Sequence, residues 1–442
     1  MSFAERLALA VYGACMGLLA PLLHIKLRRR ARREPGYAQQ VPERFGLYDT
    51  APPAAGCVWV HAVSLGETRA AALLITELRA VLPGVPLLLT HGTATGREQG
   101  AALLQPGDHQ VWLPWDAPGA VQRFVAHFRP RIGVLMETEV WPCLVQACAH
   151  ARVPLVLANA RLNETSLRKA QRLAWLSGPA YRGLTRVLAQ GEVDAQRLQA
   201  LGAPVAGVFG NLKFDVAQDA ALAQRGRQWR TAVAGRRIVM LASTREGEEA
   251  MWLQALQSLQ AQGSDAELAA LRQVLWLVVP RHPQRFDEVH RLLCDAGLAV
   301  QRRSAWHGDQ PAPMDTTPAQ AWLGDSVGEM QANYAAADVA LLGGSFAPLG
   351  GQNLIEALAC GCPVVMGPHT FNFADAARSA QGAGAAWQEH DMLQALRRVL
   401  RMQAADLAQA SAEGLVLVAA GRGSAQRQAQ AVAELLSAPP AR

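Results

Sequence analysis

The chain has 442 residues, of which 50% are hydrophobic and 18% are charged, and its formal net charge is +6. Such a chain is longer than one ordinary hydrophobic core supports, so we expect two domains, and the composition excludes an intrinsically disordered protein. The seven cysteines are scattered and odd in number, which excludes a disulfide framework and fits a reducing compartment.

The N-terminus combines an apolar run with a basic cluster. The run Leu7–Ile25 is nearly uncharged, and a set of basic residues follows it, namely Lys26, Arg28, Arg29, Arg30, Arg32 and Arg33. The run is just long enough to cross a hydrocarbon core, and the basic residues would stay in the cytoplasm with the rest of the chain. We predict that residues 1–33 are a membrane-associated helix with a basic collar that attracts anionic lipid.

Two questions stay open for this segment. Whether it spans the membrane or lies in the interface is not decided by its length, and an ordinary buried helix with a solvated basic tail is the alternative. No aromatic residues are interleaved with the arginines, so nucleic acid is not an expected partner.

After residue 50, apolar runs alternate with polar turns and amphipathic segments. The first series of predicted strands comprises Cys57–Val63, Pro86–Leu89, Val111–Leu113, Ile132–Met136, Val153–Ala158, Val187–Ala189 and Val205–Phe209. The second series comprises Ile238–Ala242, Leu275–Val279, Ala299–Gln301, Val339–Leu342 and Pro363–Met366. Helical segments such as Ala70–Val81 and Val193–Leu201 lie between strands, an alternation typical of parallel sheets covered on both faces.

This pattern predicts an α/β protein of two doubly wound, Rossmann-like domains that face each other across a cleft. We place the domains at 34–210 and 229–442 and an interdomain hinge at 211–228. The segment from Arg302 to Ala321 is rich in Pro, Thr and Asp and is expected to be a loop. A final amphipathic stretch, from about Leu393 to Leu436, is expected to pack back on the first domain.

Polar residues are concentrated where the predicted strands end. In open α/β sheets, ligands lie at the carboxyl ends of the strands, so these residues are candidates for one shared site. In the first half they are Ser64, Gly66, Glu67, Thr93, Glu137, Glu139 and Arg161. In the second half they include Ser243, Arg281, His282, Gly328 and Glu329.

The stretch from Leu341 to Glu356 is the most informative single segment. An apolar strand runs into a glycine-rich loop, and an apolar-periodic helix follows from Asn353. Glycines let a backbone approach a ligand closely, and the N–H groups at a helix start attract anions. We predict a nucleotide phosphate near the loop and a ribose hydroxyl on Glu356, although a bare turn has the same local sequence.

The carboxylates of the first half have two possible roles. Glu67 opens a helix, where an acid is favoured by the dipole whatever its function, and the local sequence alone favours that structural role. It could also act as a general base at a turn that faces the cleft. One of Glu137 and Glu139 is expected to pair with Arg161. No His or Asp cluster has the spacing of a metal site, which favours a reaction without metal or other cofactor.

Taken in order, these clusters resemble one family, the Kdo (3-deoxy-D-manno-oct-2-ulosonic acid) transferases of lipid A biosynthesis. The resemblance covers nearly the whole chain. Its motifs are His61–Glu67, Met136–Pro142, Asn159–Leu162, Gly210–Asp215, Ser243–Glu249, Val279–Pro283, Gly343–Ser345, Gly350–Glu356 and Met366–Phe373, with Arg44-Phe45-Gly46 near the N-terminus.

The resemblance implies a GT-B glycosyltransferase at the cytoplasmic face of the inner membrane. It implies transfer of Kdo from CMP-Kdo to the glucosamine disaccharide of a lipid A precursor, with inversion and with Glu67 as the base. It also implies that CMP-Kdo is bound by Lys213, Ser243, Arg281, His282, Gly328, Glu329, Asn353 and Glu356, and that Ser64, Gly66, Thr93 and Arg161 lie on the acceptor side. Glu137 or Glu139 would then orient the acceptor or the base.

Two positions depart from the family pattern, in which histidines usually stand where this chain has Gln352 and Arg245. Gln352 carries no charge, so a charged role at that position is in doubt, whereas Arg245 adds a permanent cation. One rival interpretation is another GT-B nucleotide-sugar enzyme, either a UDP-sugar transferase or an epimerase. A second rival is a membrane-tethered binding protein on a decayed transferase fold.

Overall fold

The computed structural model of the protein describes residues 1–32, 34–53, 56–215, 218–233, 235–308, 310 and 319–437. Arg33 of the basic collar, positions 216–217 of the predicted hinge and 311–318 of the predicted loop lie outside these residues. The chain folds into two compact units, one formed by Met1–Asp215 with Gly421–Arg442 and the other by Val216–Ala420.

The first unit contains a seven-stranded sheet and its covering helices. Its strands are β1 (Val58–His61), β2 (Leu87–His91), β3 (His109–Trp112), β4 (Ile132–Met136), β5 (Leu155–Ala160), β6 (Arg186–Ala189) and β7 (Val205–Val208). Its helices up to residue 200 are α1 (Phe3–Leu18), α2 (Ala20–Ala31), α3 (Leu65–Val81), α4 (Ala94–Ala101), α5 (Pro118–Phe128), α6 (Pro142–His150), α7 (Glu164–Arg172), α8 (Ala174–Arg182) and α9 (Glu192–Gln199).

All strands of the first sheet are parallel, in the order β3-β2-β1-β4-β5-β6-β7. Side chains alternate between its two faces, so Trp59 packs in the core cluster with Phe124, whereas Val60 packs in the opposite cluster with Leu74. Both faces are therefore buried, as the apolar runs indicate. The strand order reverses between β1 and β4, and the carboxyl ends of these two neighbours are where this kind of sheet binds ligands.

The second unit repeats this architecture. Its strands are β8 (Arg237–Thr244), β9 (Val274–Pro280), β10 (Val300–Arg302), β11 (Ala321–Leu323), β12 (Val339–Leu342), β13 (Val364–Met366) and β14 (Ala386–Gln388). Its helices are α10 (Ala220–Ala232), α11 (Glu248–Gln262), α12 (Asp265–Arg272), α13 (Phe286–Asp295), α14 (Met330–Ala336), α15 (Leu354–Ala359), α16 (Ala374–Gly382), α17 (Met392–Arg401) and α18 (Ala404–Gly421).

The second sheet is also parallel throughout, in the order β10-β11-β9-β8-β12-β13-β14. The prediction of an α/β protein with two parallel sheets is confirmed, and the twelve predicted strands are all present. Two strands, β11 and β14, were not predicted. Each has three residues and lies next to an edge or at an edge of the sheet, so neither produces a long apolar run in the sequence.

The last helix, α19 (Ser424–Ser437), belongs to the first unit. Its residues Ala429 and Val432 are buried in the core cluster that also contains Leu74 of α3. Gln428 is fully buried; its Oε1 accepts the N–H of Asn159 at 2.7 Å, and its Nε2 donates to Gly210 O at 3.1 Å. The C-terminal segment therefore completes the core of the first sheet.

Helix α1 packs on the rest of the first unit through one face and leaves apolar residues of its other face exposed. Leu9 and Tyr12 of α1 contact the core cluster of α5 and α6, whereas Phe3, Leu7 and Leu18 are 76%, 55% and 81% exposed. Among the described residues no single helix is long and apolar enough to span a membrane; α1 and α2 meet the length and composition only as a pair, bent by 49°.

Candidate active site

The turn after β1 holds Glu67 at the edge of the first sheet. Ser64 is the N-cap of α3, and its Oγ accepts the N–H of Glu67 at 3.3 Å. The carboxylate folds back on the same turn: Oε2 accepts the N–H of Val63 at 2.9 Å, and Oε1 accepts the Ser64 hydroxyl at 3.1 Å. Glu67 thus combines the structural role of a helix-start acid with a defined orientation of its carboxylate.

The environment of Glu67 raises its pKa to about 7. Burial is the largest cause; the hydrogen bond from Val63 opposes it, and the negative charges of Glu139 and Glu137 raise the pKa further. Roughly half of such a group is ionised at neutral pH. A carboxylate with this pKa can take up a proton during a reaction at pH 7, which is the property that a general base needs.

Glu137 is the acid that pairs with Arg161, as expected for one member of the Glu137/Glu139 pair. Glu137 follows β4 directly, has φ 57° and is only 4% exposed. Arg161 Nε donates to Glu137 Oε2 at 2.6 Å, and the Arg161 N–H donates to Glu137 O at 3.2 Å. The left-handed backbone and the ion pair together fix this turn beside the end of β5.

Glu139 completes a group of three acids at the ends of neighbouring strands. Its Oε2 accepts the indole N–H of Trp141 at 2.8 Å. Burial raises the pKa of Glu139, and the charge of Glu137 adds to this effect. Because β1 and β4 are adjacent, the three acids Glu67, Glu137 and Glu139 interact electrostatically. They lie at the switch point of the first sheet, which is the place between β1 and β4 where the strand order reverses.

Thr93 supports the Glu67 turn from the next strand. Its hydroxyl donates to Val63 O at 2.9 Å, and its Oγ1 accepts the N–H of Gly96 at the start of α4 at 3.2 Å. At Gly66 a Cβ atom would meet only Ser64 Oγ, at 3.9 Å, so the surface there is open. Thr93 therefore positions the Glu67 turn in this structure, and Gly66 leaves space beside the Glu67 carboxylate.

In the second unit, backbone N–H groups at the start of the glycine-rich loop donate to a carboxylate of the chain itself, that of Glu248. Glu248 is 1% exposed, and its Oε2 accepts the N–H groups of Gly344 at 2.7 Å and Arg245 at 2.9 Å. Its Oε1 accepts the N–H groups of Phe346 and Ala347, both at 3.2 Å. These N–H groups are not available to a phosphate, so the predicted phosphate contact is confined to the later part of the loop, at 350–353.

The neighbouring acid, Glu249, holds the loop that follows β9 in the same unit. Arg285 donates to both of its carboxylate oxygens, at 3.0 and 2.9 Å. The same loop is tied to β8, because the N–H of Arg281 donates to Thr244 O at 3.0 Å. The Arg281 side chain is exposed and the His282 side chain is half-buried, so both lie at the surface of a braced loop.

Glu356, Asn353 and Ser243 surround the end of the second sheet. Burial raises the pKa of Glu356, and the positive charge of Arg281 opposes this effect. Asn353 is the N-cap of α15 and accepts the N–H of Ile355 at 3.2 Å. Ser243 has φ 56°, and a Cβ atom on Gly343 would lie 2.3 Å from its carbonyl oxygen, so only glycine allows this approach.

Two predicted donor-side residues differ from the others: Glu329 is held in ion pairs, and Lys213 lies in the first unit. Glu329 forms ion pairs with Arg225 at 3.0 Å and Arg303 at 2.9 Å, beside Gly328, which has φ 88°. Burial would raise the pKa of Glu329, but the Ser326 hydroxyl and the two arginines outweigh burial and lower it. Lys213 belongs to the first unit, whereas the other predicted donor-side residues belong to the second.

Comparison with known proteins gives the family. The family model described as 3-deoxy-D-manno-octulosonic-acid transferase (kdotransferase) matches residues 39–216. A 3-deoxy-D-manno-octulosonic acid transferase of Bordetella pertussis is 50% identical over 402 residues, which cover 89% of this chain and 91% of the relative. The chain belongs to the Kdo transferase family. A transferase of the same description from Haemophilus influenzae is 33% identical over 82% of each protein.

The fold agrees with this assignment. A glycosyltransferase structure from Rickettsia africae covers 87% of this chain and all of its own length, with a TM-score of 0.50 and 12% identity. At this identity the likeness shows the fold alone, which is that of GT-B glycosyltransferases. The enzyme class, a glycosyltransferase that transfers Kdo, follows from the relatives.

Sequence reasoning missed the roles of Glu248 and Glu249 in this transferase. Both acids follow Gly247 at the start of α11, a position where acids are common for reasons of the helix dipole alone. Three of the four N–H groups that Glu248 binds lie almost a hundred positions later in the chain, and no local pattern connects them to Glu248; the fourth is the N–H of Arg245, three positions earlier. Among the described residues, no group of three or more His, Cys, Asp or Glu side chains could hold a metal ion.

Proposed function

We propose that the protein transfers Kdo from CMP-Kdo to a hydroxyl on the glucosamine disaccharide of a lipid A precursor, with inversion and without a metal ion. Membership of the Kdo transferase family identifies Kdo as the transferred sugar. The observation that carries the mechanism is Glu67, a carboxylate held at the switch point of the first sheet with its pKa raised to about 7.

Glu67 acts as the general base in this proposal. The acceptor hydroxyl oxygen attacks the anomeric carbon of Kdo while the Glu67 carboxylate takes the hydroxyl proton. A new C–O bond forms, the bond from the anomeric carbon to the CMP phosphate breaks, and CMP leaves with the electron pair. Attack from the face opposite the leaving group inverts the anomeric centre. Glu139 and the Glu137–Arg161 pair orient the acceptor, while burial and the negative charges of Glu139 and Glu137 keep the pKa of Glu67 high.

The acceptor side is formed by the ends of β1 and β2. Ser64 and Thr93 fix the turn that carries Glu67, and the open surface at Gly66 admits the acceptor sugar. Ser64 and Thr93 are positioning residues, because they hold the Glu67 carboxylate in a constant orientation.

The second unit and Lys213 provide the donor side. Arg281 and His282 bind the CMP phosphate as cation and hydrogen-bond donor, Asn353 meets the same phosphate, and Glu356 accepts from the ribose. Ser243, Gly328 and Lys213 contribute to binding the donor carboxylate or phosphate. Because the Glu329 carboxylate is engaged by Arg225 and Arg303, its contribution is to hold the Gly328 turn.

Product analysis tests this proposal. Purified protein is incubated with freshly generated CMP-Kdo and a lipid A precursor, and the product is weighed by mass spectrometry. We expect a mass increase of one or more Kdo residues, undiminished by EDTA. UDP-sugars tested in parallel should give no product. Transfer from a UDP-sugar, or loss of transfer in EDTA that added Mg²⁺ restores, would contradict the donor assignment or the metal independence.

We also propose that α1 and α2 attach the protein to the cytoplasmic face of the inner membrane by lying in the interface. The inner face of α1 packs on the core through Leu9 and Tyr12, so lipid can surround only its outer face, where Leu7 and Val11 are each 55% exposed. The exposed basic residues after Ile25 would contact anionic headgroups.

Vesicle sedimentation tests the interfacial attachment. The triple variant Leu7→Ser, Val11→Ser, Leu18→Ser removes exposed apolar groups without touching the packed face, and we expect it to leave anionic vesicles at moderate salt. The control is Met251→Ser, an exposed apolar residue of α11 that is 41% exposed. Equal sedimentation of the triple variant and the wild type would contradict the attachment through α1.

A further inference from the structure

A cavity of about 240 Å³ in the first unit lies beside the Glu67 turn, and the acceptor-side residue Thr93 is among the residues that line it. Apolar side chains from α2, α5 and α6 and from the segment after β3 form much of its wall, among them Leu27, Leu113, Val121 and Leu144. Val63 also lines it. Because the Val63 N–H donates to Glu67, the cavity adjoins the proposed base.

Three polar groups in the cavity wall lack partners. Within the described part of the chain, Tyr37 Oη, His61 Nε2 and Trp115 Nε1 have no hydrogen-bond partner, and all three side chains line this one cavity. Tyr37 is 3% and His61 is 1% exposed. A buried polar group without a partner costs about 1–3 kcal/mol, so three in one cavity indicate a ligand that supplies polar atoms there.

Positive charge surrounds the same cavity. Lys26 and Arg30 of α2 line it and are exposed. Arg44 is 4% exposed, lies 4.0 Å from the ring centre of Trp112 and donates to the carbonyl oxygen of Gly92 at 2.8 Å. One lining carboxylate, Asp116, offsets part of this charge, but its oxygens accept the N–H groups of Cys143 and Leu144 at the start of α6.

We infer that this cavity receives one acyl chain of the phosphorylated lipid acceptor, with the polar linkage of the chain at Tyr37, His61 and Trp115. This inference rests on the proposed function, because it takes the acceptor to be a lipid. An apolar wall selects a hydrocarbon chain, the unpartnered groups select the carbonyl or hydroxyl that the chain carries, and Lys26 and Arg30 select an anionic head. The seated chain would bring the attached sugar to Glu67.

The first test measures binding of a simple probe, dodecyl phosphate, to the full-length protein by calorimetry. Val121→Phe fills part of the cavity, and Val193→Phe makes the same change at an exposed position of α9. Each buried methylene is worth about fourfold in affinity, so excluding two weakens binding roughly 15-fold. We expect that loss in Val121→Phe only. Equal affinities in the two variants would overturn the inference.

A second pair of variants tests the charged residues independently of the core. Lys26→Ala/Arg30→Ala removes two exposed cations that line the cavity, and Arg28→Ala/Arg29→Ala removes two exposed cations of α2 that do not line it. We expect the first pair to weaken dodecyl phosphate binding at least fivefold at low salt and the second to weaken it less than twofold. Equal losses in the two pairs would overturn the placement of the anionic head at the cavity, because charge would then act only through the general surface field.

Kinetics separate this inference from the proposed function. Val121→Phe should raise the KM for an acylated acceptor at least tenfold and leave kcat and the KM for a deacylated acceptor unchanged. An equal KM change for both acceptors would overturn the acyl-chain site. If the wild type binds dodecyl phosphate in the cavity but transfers nothing to the lipid acceptor, the proposed function fails and the lipid site remains.

Discussion

The buried Glu248 carboxylate should determine whether the glycine-rich loop of the second unit keeps its shape. Each of its two oxygens accepts two backbone N–H groups, from Gly344 and Arg245 on one side and from Phe346 and Ala347 on the other. Glu248→Gln preserves the size of the side chain but replaces one oxygen by an NH₂ group. In either orientation of the amide, two N–H groups lose their acceptor.

The size of the effect follows from those two lost acceptors. An unsatisfied buried donor costs about 1–3 kcal/mol, so two cost roughly 2–6 kcal/mol. That is a large part of the 5–15 kcal/mol that stabilises a typical domain. We therefore expect Glu248→Gln to lower the unfolding free energy of the second unit by about 2 kcal/mol or more and to weaken CMP binding, because the loop that begins at Gly343 loses its brace.

Urea denaturation and CMP calorimetry measure both effects. The control is Glu246→Gln, an exposed acid two positions away whose ion pair is with its neighbour Arg245; it should be close to wild type in both assays. Glu248→Ala with added formate gives a second readout, because the small anion can occupy the vacated position and restore CMP affinity. Wild-type stability and CMP affinity in Glu248→Gln would refute the reasoning.

Two further predictions concern the first unit. If ionised Glu67 is the base, kcat/KM should fall about tenfold per pH unit below pH 7. Glu139→Gln should shift this acid limb of the pH–rate profile to lower pH, because removing a negative charge lowers the pKa of Glu67. An unmoved limb would show that Glu139 does not act on the base. Gln428→Ala leaves two groups without their partner, the N–H of Asn159 and the carbonyl of Gly210. At about 1–3 kcal/mol for each group, the unfolding free energy measured in urea should fall by roughly 2–6 kcal/mol. An unchanged midpoint would mean that water replaces both bonds.

The fold was largely predictable because its strongest signals are local. Buried parallel strands such as Ile132–Met136 are continuous apolar runs, and polar residues such as Glu137 mark where they end. The short strands Ala321–Leu323 and Ala386–Gln388 escaped because three residues carry too little periodicity. Their assignment depends on neighbours in the sheet that are distant in sequence.

The sequence predicts that the candidate residues lie at strand ends, but not the surroundings of their side chains. Ser64 and the helix that follows it predict the turn that holds Glu67. The raised pKa of Glu67 comes from burial and from the charge of Glu139, and both depend on the fold. The same reason explains Glu248: its sequence context indicates an ordinary helix-start acid, and only the fold brings its carboxylate to the loop at Gly344.

The turnover of Glu67→Gln tests the central claim most directly. The amide keeps the size of the side chain but cannot take up a proton, so kcat for Kdo transfer at saturating CMP-Kdo and acceptor should fall about 10²–10⁴-fold. CMP affinity and thermal stability of the variant should stay near wild type, because the donor-side residues are unchanged. A kcat within threefold of wild type, in a folded variant that binds CMP normally, would contradict the assignment of Glu67 as the base.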